Sequence, residues 1–120
     1  MSNKIQKYVA SVTTGTTITS AVYIDKYDQL QFYVPNVGST FGSAVVACTL
    51  LGSPDDSLSY KQMNYWDYVN KTPASCVVTI STGGVYEFPY PGAMNNVQVQ
   101  FDVAATNTTA CYFIAPKTTY

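Results

Sequence analysis

The side chains of this 120-residue chain that could do chemistry are seven carboxylates, Asp25, Asp28, Asp55, Asp56, Asp67, Glu87 and Asp102, and three thiols, Cys48, Cys76 and Cys111. There is no histidine. That absence removes the Ser-His-Asp and Cys-His arrangements and the commonest transition-metal ligand. A glycosidase needs two carboxyl groups of opposite role facing one cleft, and no spacing here selects such a pair. Asp102 falls on the outer face of an alternating strand, Asp55 and Asp56 sit in a Pro-Asp turn, and Asp25 and Asp28 flank another turn. Asp55 and Asp56 with Ser53 and Ser57 could offer oxygen ligands to calcium, but turn residues that bond their own backbone explain them more simply. Gly83-Gly84 fits a two-residue hairpin turn, with no phosphate-loop context following it. Each cysteine lies in an apolar run outside any CxxC spacing, which predicts buried free thiols; a disulfide between two of them would leave one over. No catalytic residue, metal site or cofactor is expected.

What remains is a chain that works by presenting surface. Only 11% of its residues are charged, seven acids against six bases, where a typical domain carries about 25%. Thr, Ser, Asn, Gln and eleven tyrosines must therefore supply the exterior. Such groups hydrogen-bond a neighbour without the desolvation cost of a charge, so this surface suits partial burial in an assembly. Scattered lysines and a near-neutral balance argue against a nucleic-acid partner, whose phosphates draw affinity from clustered bases, and none is expected. The longest apolar stretch, Ala44 to Leu51, is far below the roughly 20 residues that span a bilayer, so no membrane partner is expected. Met1 to Tyr8 lacks the apolar segment of a secretory signal, which predicts synthesis in the cytoplasm.

The elements that must position these residues read as strands. Val97 to Val103 alternates apolar and polar residues without a break, and Gln29 to Val34 does the same until Pro35 ends it. Further strands are expected over Gln6 to Thr13, Thr17 to Asp25, Ala44 to Leu51, Met63 to Val69, Ser75 to Ser81, Val85 to Pro89 and Ala110 to Ala115, separated by turn-formers. About eight to nine short strands predict one all-β domain over residues 1–120, an antiparallel β-sandwich of jelly-roll type, with a short N-terminal arm at 1–8. Met1 to Gln6 and Lys117 to Tyr120 are polar ends, expected to be less ordered.

Candidate interaction residues follow from this pattern. Tyr33 is available outside its strand, and Phe41 stands in the long loop Pro35 to Gly42, a possible binding tip. In Tyr65-Trp66-Asp67-Tyr68, a strand would place Trp66 and Tyr68 on one face. That pair is either an exposed binding surface or, for Trp66, the main core plug of the sandwich.

Leu30 to Pro35, Val45 to Tyr60, Val85 to Pro89 and Val97 to Phe101 together resemble the small β-sandwich proteins of tailed bacteriophages, the capsid decoration or cement proteins and related fibre modules. The resemblance spans about Thr17 to Ala115 and rests on a strand pair, a Gly-Ser-x-Asp turn followed by an aromatic, a short strand ending in proline and a closing alternating strand. It implies a structural protein of the virion, commonly a homotrimer, that binds the major capsid protein where capsomers meet. In that role the arm with Lys4, Lys7 and Tyr8 would add a strand to a sheet edge of the capsid. The alternative is a fibre, tail or host-recognition module that binds glycan through Tyr33, Trp66 and Tyr68.

Overall fold

The computed structural model describes residues 2–24, 29–55, 59–81, 84–89 and 94–119, with backbone alone at 2–6, 84 and 116–119. Alternating segments become strands wherever one face can be buried. In chain order these are β1 (Ser2–Val12), β2 (Val22–Tyr23), β3 (Gln31–Val34), β4 (Val46–Ser53), β5 (Lys61–Gln62), β6 (Asn64–Asp67), β7 (Thr72–Ser75), β8 (Val77–Ile80), β9 (Gly84–Glu87), β10 (Asn96–Phe101) and β11 (Thr109–Thr119), with one short helix, α1 (Val37–Phe41), after β3. Every strand pairing among the described residues is antiparallel.

The first sheet has the order β1-β11-β3-β9, and the second has β2-β10-β4-β5 with β8 also paired to β4. Their facing sides hold one core. Ala10, Phe32, Cys111 and Phe113 come from the first sheet, and Cys48, Leu50, Val99 and Phe101 from the second. Phe32 is its hub, with ring centroids 5.2 Å from Phe113, 6.0 Å from Phe101 and 6.1 Å from Phe88. All five phenylalanines are buried, and none of the described tyrosines is. The phenol hydroxyl needs a polar partner or water, which favours a half-exposed position. This is the all-β antiparallel sandwich the alternation predicts, with eleven strands among the described residues in place of eight or nine. The surplus arises because β5 separates from β6 at Met63, and β7 from β8 at Cys76.

Several local expectations change. The loop expected at Pro35 to Gly42 is a capped helical turn. The Asn36 side chain accepts from the Ser39 N–H at 2.9 Å, and Gly42, at φ 64°, closes the end with its N–H donating to the Gly38 carbonyl at 2.8 Å. Val37 and Phe41 lie four residues apart on one side of this turn and both are buried. Phe41 is 2% exposed, its ring 4.6 Å from that of Phe101, so it is a core residue and no binding tip.

β8 and β9 do not pair as the hairpin expected around Gly83-Gly84, because β8 belongs to the second sheet and β9 to the first; Gly83 itself lies outside the described residues. Thr17 to Asp25 is no continuous strand either. Thr19 stitches the layers at one end: its N–H donates to the Val99 carbonyl at 3.0 Å, its hydroxyl accepts from the Val99 N–H at 3.1 Å, and the next N–H, of Ser20, reaches the Ser11 carbonyl at 2.9 Å. The polar ends are paired and strand-like in backbone, Ser2 opposite Thr119 through Gln6 opposite Ala115. The N-terminal arm is thus already occupied by β11 on one side.

Candidate functional site

The sequence-derived site residues fall into three places. Lys7 and Tyr33 lie on the outer side of the first sheet. Lys4 lies on the β1 backbone opposite Lys117, and its side chain is outside the described residues. Tyr8 points the other way, half-buried, in register with buried Phe113 and packed against the core. Phe41 is interior, as shown above. Trp66 and Tyr68 come together on a hairpin that stands off the second sheet.

That hairpin begins where β4 changes partners. Up to Thr49, β4 pairs with β8, and from Leu51 it pairs with β5. At the joint the Leu50 N–H donates to the Cys76 carbonyl at 2.9 Å, the Met63 N–H to the Leu50 carbonyl at 3.0 Å, and the Cys76 N–H to the Met63 carbonyl at 2.9 Å. Three backbones satisfy one another there, so β6 and β7 leave the sheet without orphaning a buried polar group. They pair from Asn64 with Ser75 to Asp67 with Thr72.

The turn is fixed by Asp67. Its carboxylate accepts from the Val69 N–H at 3.0 Å, the Asn70 N–H at 3.2 Å and the Asn70 side-chain amide at 2.8 Å. These bonds, the Asn70 side chain first, hold the Asp67 carboxyl below its ordinary pKa. Lys71, at φ 55°, takes the left-handed position that closes the loop.

No residue from 64 to 75 is buried. Trp66 is 48% exposed, Tyr68 82% and Val69 89%. Trp66 is therefore not the core plug; the five phenylalanines fill that place. Tyr68 has left the strand and sits on the turn beside Val69, so the aromatic pair of the sequence becomes a Trp-Tyr-Val tip.

A second feature was not legible residue by residue. Across the outer side of the first sheet, Val9, Tyr112, Tyr33 and Val85 occupy one register row. The Tyr33 and Tyr112 rings are 6.0 Å apart, and the Lys7 ammonium lies 4.9 Å from the Tyr112 centroid. In β1 and β11 both faces carry apolar residues, which hides from the sequence which side looks outward.

Of the described groups with intrinsic reactivity, the three thiols lie in the packed interior, and Asp67 and Asp102 bond nearby backbone. Cys48, Cys76 and Cys111 are free and buried. Burial pushes the Cys76 thiol up to about 11 and the Cys111 thiol to about 12, and raises Cys48 further, with Cys111 and Asp102 adding to it. Such a shift favours the protonated thiol at neutral pH. Asp102 is tied into its strand end, accepting from the Ala47 N–H at 3.0 Å while its own N–H donates to the Ala47 carbonyl at 3.1 Å. The Ser53 hydroxyl donates to the Asp55 carbonyl, the self-bonded turn expected there; Asp56 and Ser57, like Asp25 and Asp28, lie outside the described residues. Among the described residues no three His, Cys, Asp or Glu side chains are grouped to hold a metal ion.

No protein-family model and no curated protein matches the sequence. Among solved structures, the chain is similar to the SPBc2 prophage-derived protein YomS, with a TM-score of 0.59 at 9% sequence identity over 98% of this chain and 96% of that one. The whole sandwich, first strand to last, is therefore a fold shared with a prophage-derived protein.

Proposed function

We propose that this chain is a non-enzymatic structural protein of a phage particle, a cement or decoration protein that docks on the shell of the major capsid protein at capsomer junctions and stabilises it. The observation that carries the reading is the β6–β7 hairpin. An isolated two-stranded hairpin is marginal in water, and this one keeps Trp66, Tyr68 and Val69 in solvent. Trp and Tyr are the residues that dominate interface energetics when a partner desolvates them. The shared fold with a prophage-derived protein, the resemblance to phage decoration proteins and the sparsely charged exterior support the same reading. Many copies on one shell would sum weak contacts into a large effect. In this reading the chain, made in the host cytoplasm, ends on the outer surface of the virion.

The test is co-sedimentation with expanded shells assembled from the major capsid protein of the phage that encodes this chain. Wild type should bind and raise the temperature at which shells rupture. Trp66→Ala should weaken binding by about 30-fold, the usual effect of removing an aromatic hot spot. Shells that ignore the wild-type protein would overturn the reading.

The same exposed aromatics favour one alternative, a fibre, tail or host-recognition module that grips a sugar face on Trp66 and Tyr68. Glycan-array binding lost in Trp66→Ala, together with no binding to shells, would select it.

A further inference from the structure

The outer side of the first sheet carries two register rows. One is Val9, Tyr112, Tyr33 and Val85; the next, one pleat along, is Lys7, Ile114, Gln31 and Glu87. The first row is apolar and aromatic, with Val9 and Val85, at its two ends, 53% and 49% exposed. Tyr112 and Tyr33, between them, are half-buried. The second row has a cation at the β1 end and an anion at the β9 end. Three interstrand steps of roughly 4.8 Å separate those ends, about 14 Å in all, so Lys7 and Glu87 of one chain cannot pair with each other.

From this we infer that the face is a two-fold interface between two copies of the chain. A two-fold axis parallel to the strands, lying between two such faces, sets β1 of one copy over β9 of the other and leaves each row facing itself. Lys7 then meets the second copy's Glu87, and Glu87 its Lys7. Val9 meets Val85, and Tyr112 meets Tyr33. One operation thus matches charge to opposite charge at both ends of one row, with Ile114 over Gln31 between them, and apolar or aromatic to the same along the other row, the self-complementarity an isologous interface requires. The two faces would pack as the layers of a sandwich do, about 10 Å apart with the strands within about 30° of each other. The inference is independent of the docking reading: it uses the first sheet, whereas the hairpin leaves the second. It also replaces the trimer implied by the family resemblance with a dimer.

The test is sedimentation equilibrium of the full chain from about 1 to 100 μM, the range where a modest interface associates, with amide NMR spectra confirming the fold of each variant. Wild type should dimerise. Lys7→Glu and Glu87→Lys, each alone, set like charges at both ends and should weaken dimerisation by about tenfold or more. An equimolar mixture of the two single variants should restore wild-type affinity, because Glu at 7 then faces Lys at 87 and Lys7 faces Glu87. The double variant should dimerise with itself. Val85→Lys, which puts a charge into the apolar row, should leave a monomer. A monomer at every concentration, a trimer, a dimer indifferent to the single swaps, or a mixture that fails to recover would each overturn the proposal.

Discussion

The sandwich interior and the β6–β7 hairpin spend aromatic residues in opposite ways. Inside, Phe32 touches three other phenylalanine rings and no edge of it meets solvent. On the hairpin, Trp66 has half its surface in water and its cross-strand partner, Pro73, is exposed as well. Burial of apolar area is what makes a domain stable. The interior therefore carries the stability, while the hairpin keeps a hydrophobic surface that folding alone does not use. The difference teaches where to look for a docking surface: at apolar area left unburied on an element whose backbone is otherwise well satisfied.

The comparison breaks most sharply if an interior ring proves dispensable. Phe32→Ala is expected to cost about 3–5 kcal/mol, a large share of the 5–15 kcal/mol typical of a domain, read as a fall in the urea midpoint. Next in size is Gly52→Ala, at the close approach of β4 to its cover. A Cβ there would stand 2.7 Å from the Met63 sulfur and 2.9 Å from the Met94 Cβ. The sulfur can swing aside; the Met94 Cβ cannot without moving its backbone. A loss of about 1–3 kcal/mol is expected by the same denaturation.

The hairpin answers to acid on its own. Because Asp67 has a lowered pKa in the folded turn, the bonds it accepts add stability at all pH values above the ordinary carboxylate range. That contribution is lost as pH falls through the lowered value. The protection factors of the Val69 and Asn70 amides, taken against the intrinsic exchange rate at each pH, should fall at strongly acid pH while the Phe32 amide stays protected, and Asp67→Asn should weaken this pH response. Loss of protection at all three sites together would show that hairpin and interior form one unit.

What the sequence disclosed and what it hid divide along the same physical line. Gln29 to Val34 and Val97 to Val103 announce strands because each has a single buried face, and the core residues Leu30, Phe32, Val97, Val99 and Phe101 can be named from alternation alone. Phe41 misleads because the glycines around it read as a loop, although Asn36, Val37, Phe41 and Gly42 are the cap, the buried pair and the stop of a helical turn. Gly83-Gly84 misleads because two neighbouring strands divided by a glycine pair look like a hairpin, and only the distant partners β3 and β4 reveal that they belong to different sheets. Of the surface, Trp66 and Tyr68 were visible as types but not as a tip, since the exit of the hairpin depends on Leu50 bridging Met63 and Cys76. The row of Val9, Tyr112, Tyr33 and Val85 joins four strands far apart in the chain, a juxtaposition only register can supply.

The central claim is that the interior holds the fold and the hairpin serves assembly, and Trp66→Ala tests both halves in one protein. The measurement is shell binding alongside the urea midpoint of the free chain. The account predicts an unfolding free energy, read from that midpoint, within about 0.5 kcal/mol of wild type, the usual range for a surface change, and shell affinity reduced by about 30-fold. A midpoint that falls as far as that of Phe32→Ala, or a shell affinity left unchanged, would contradict it.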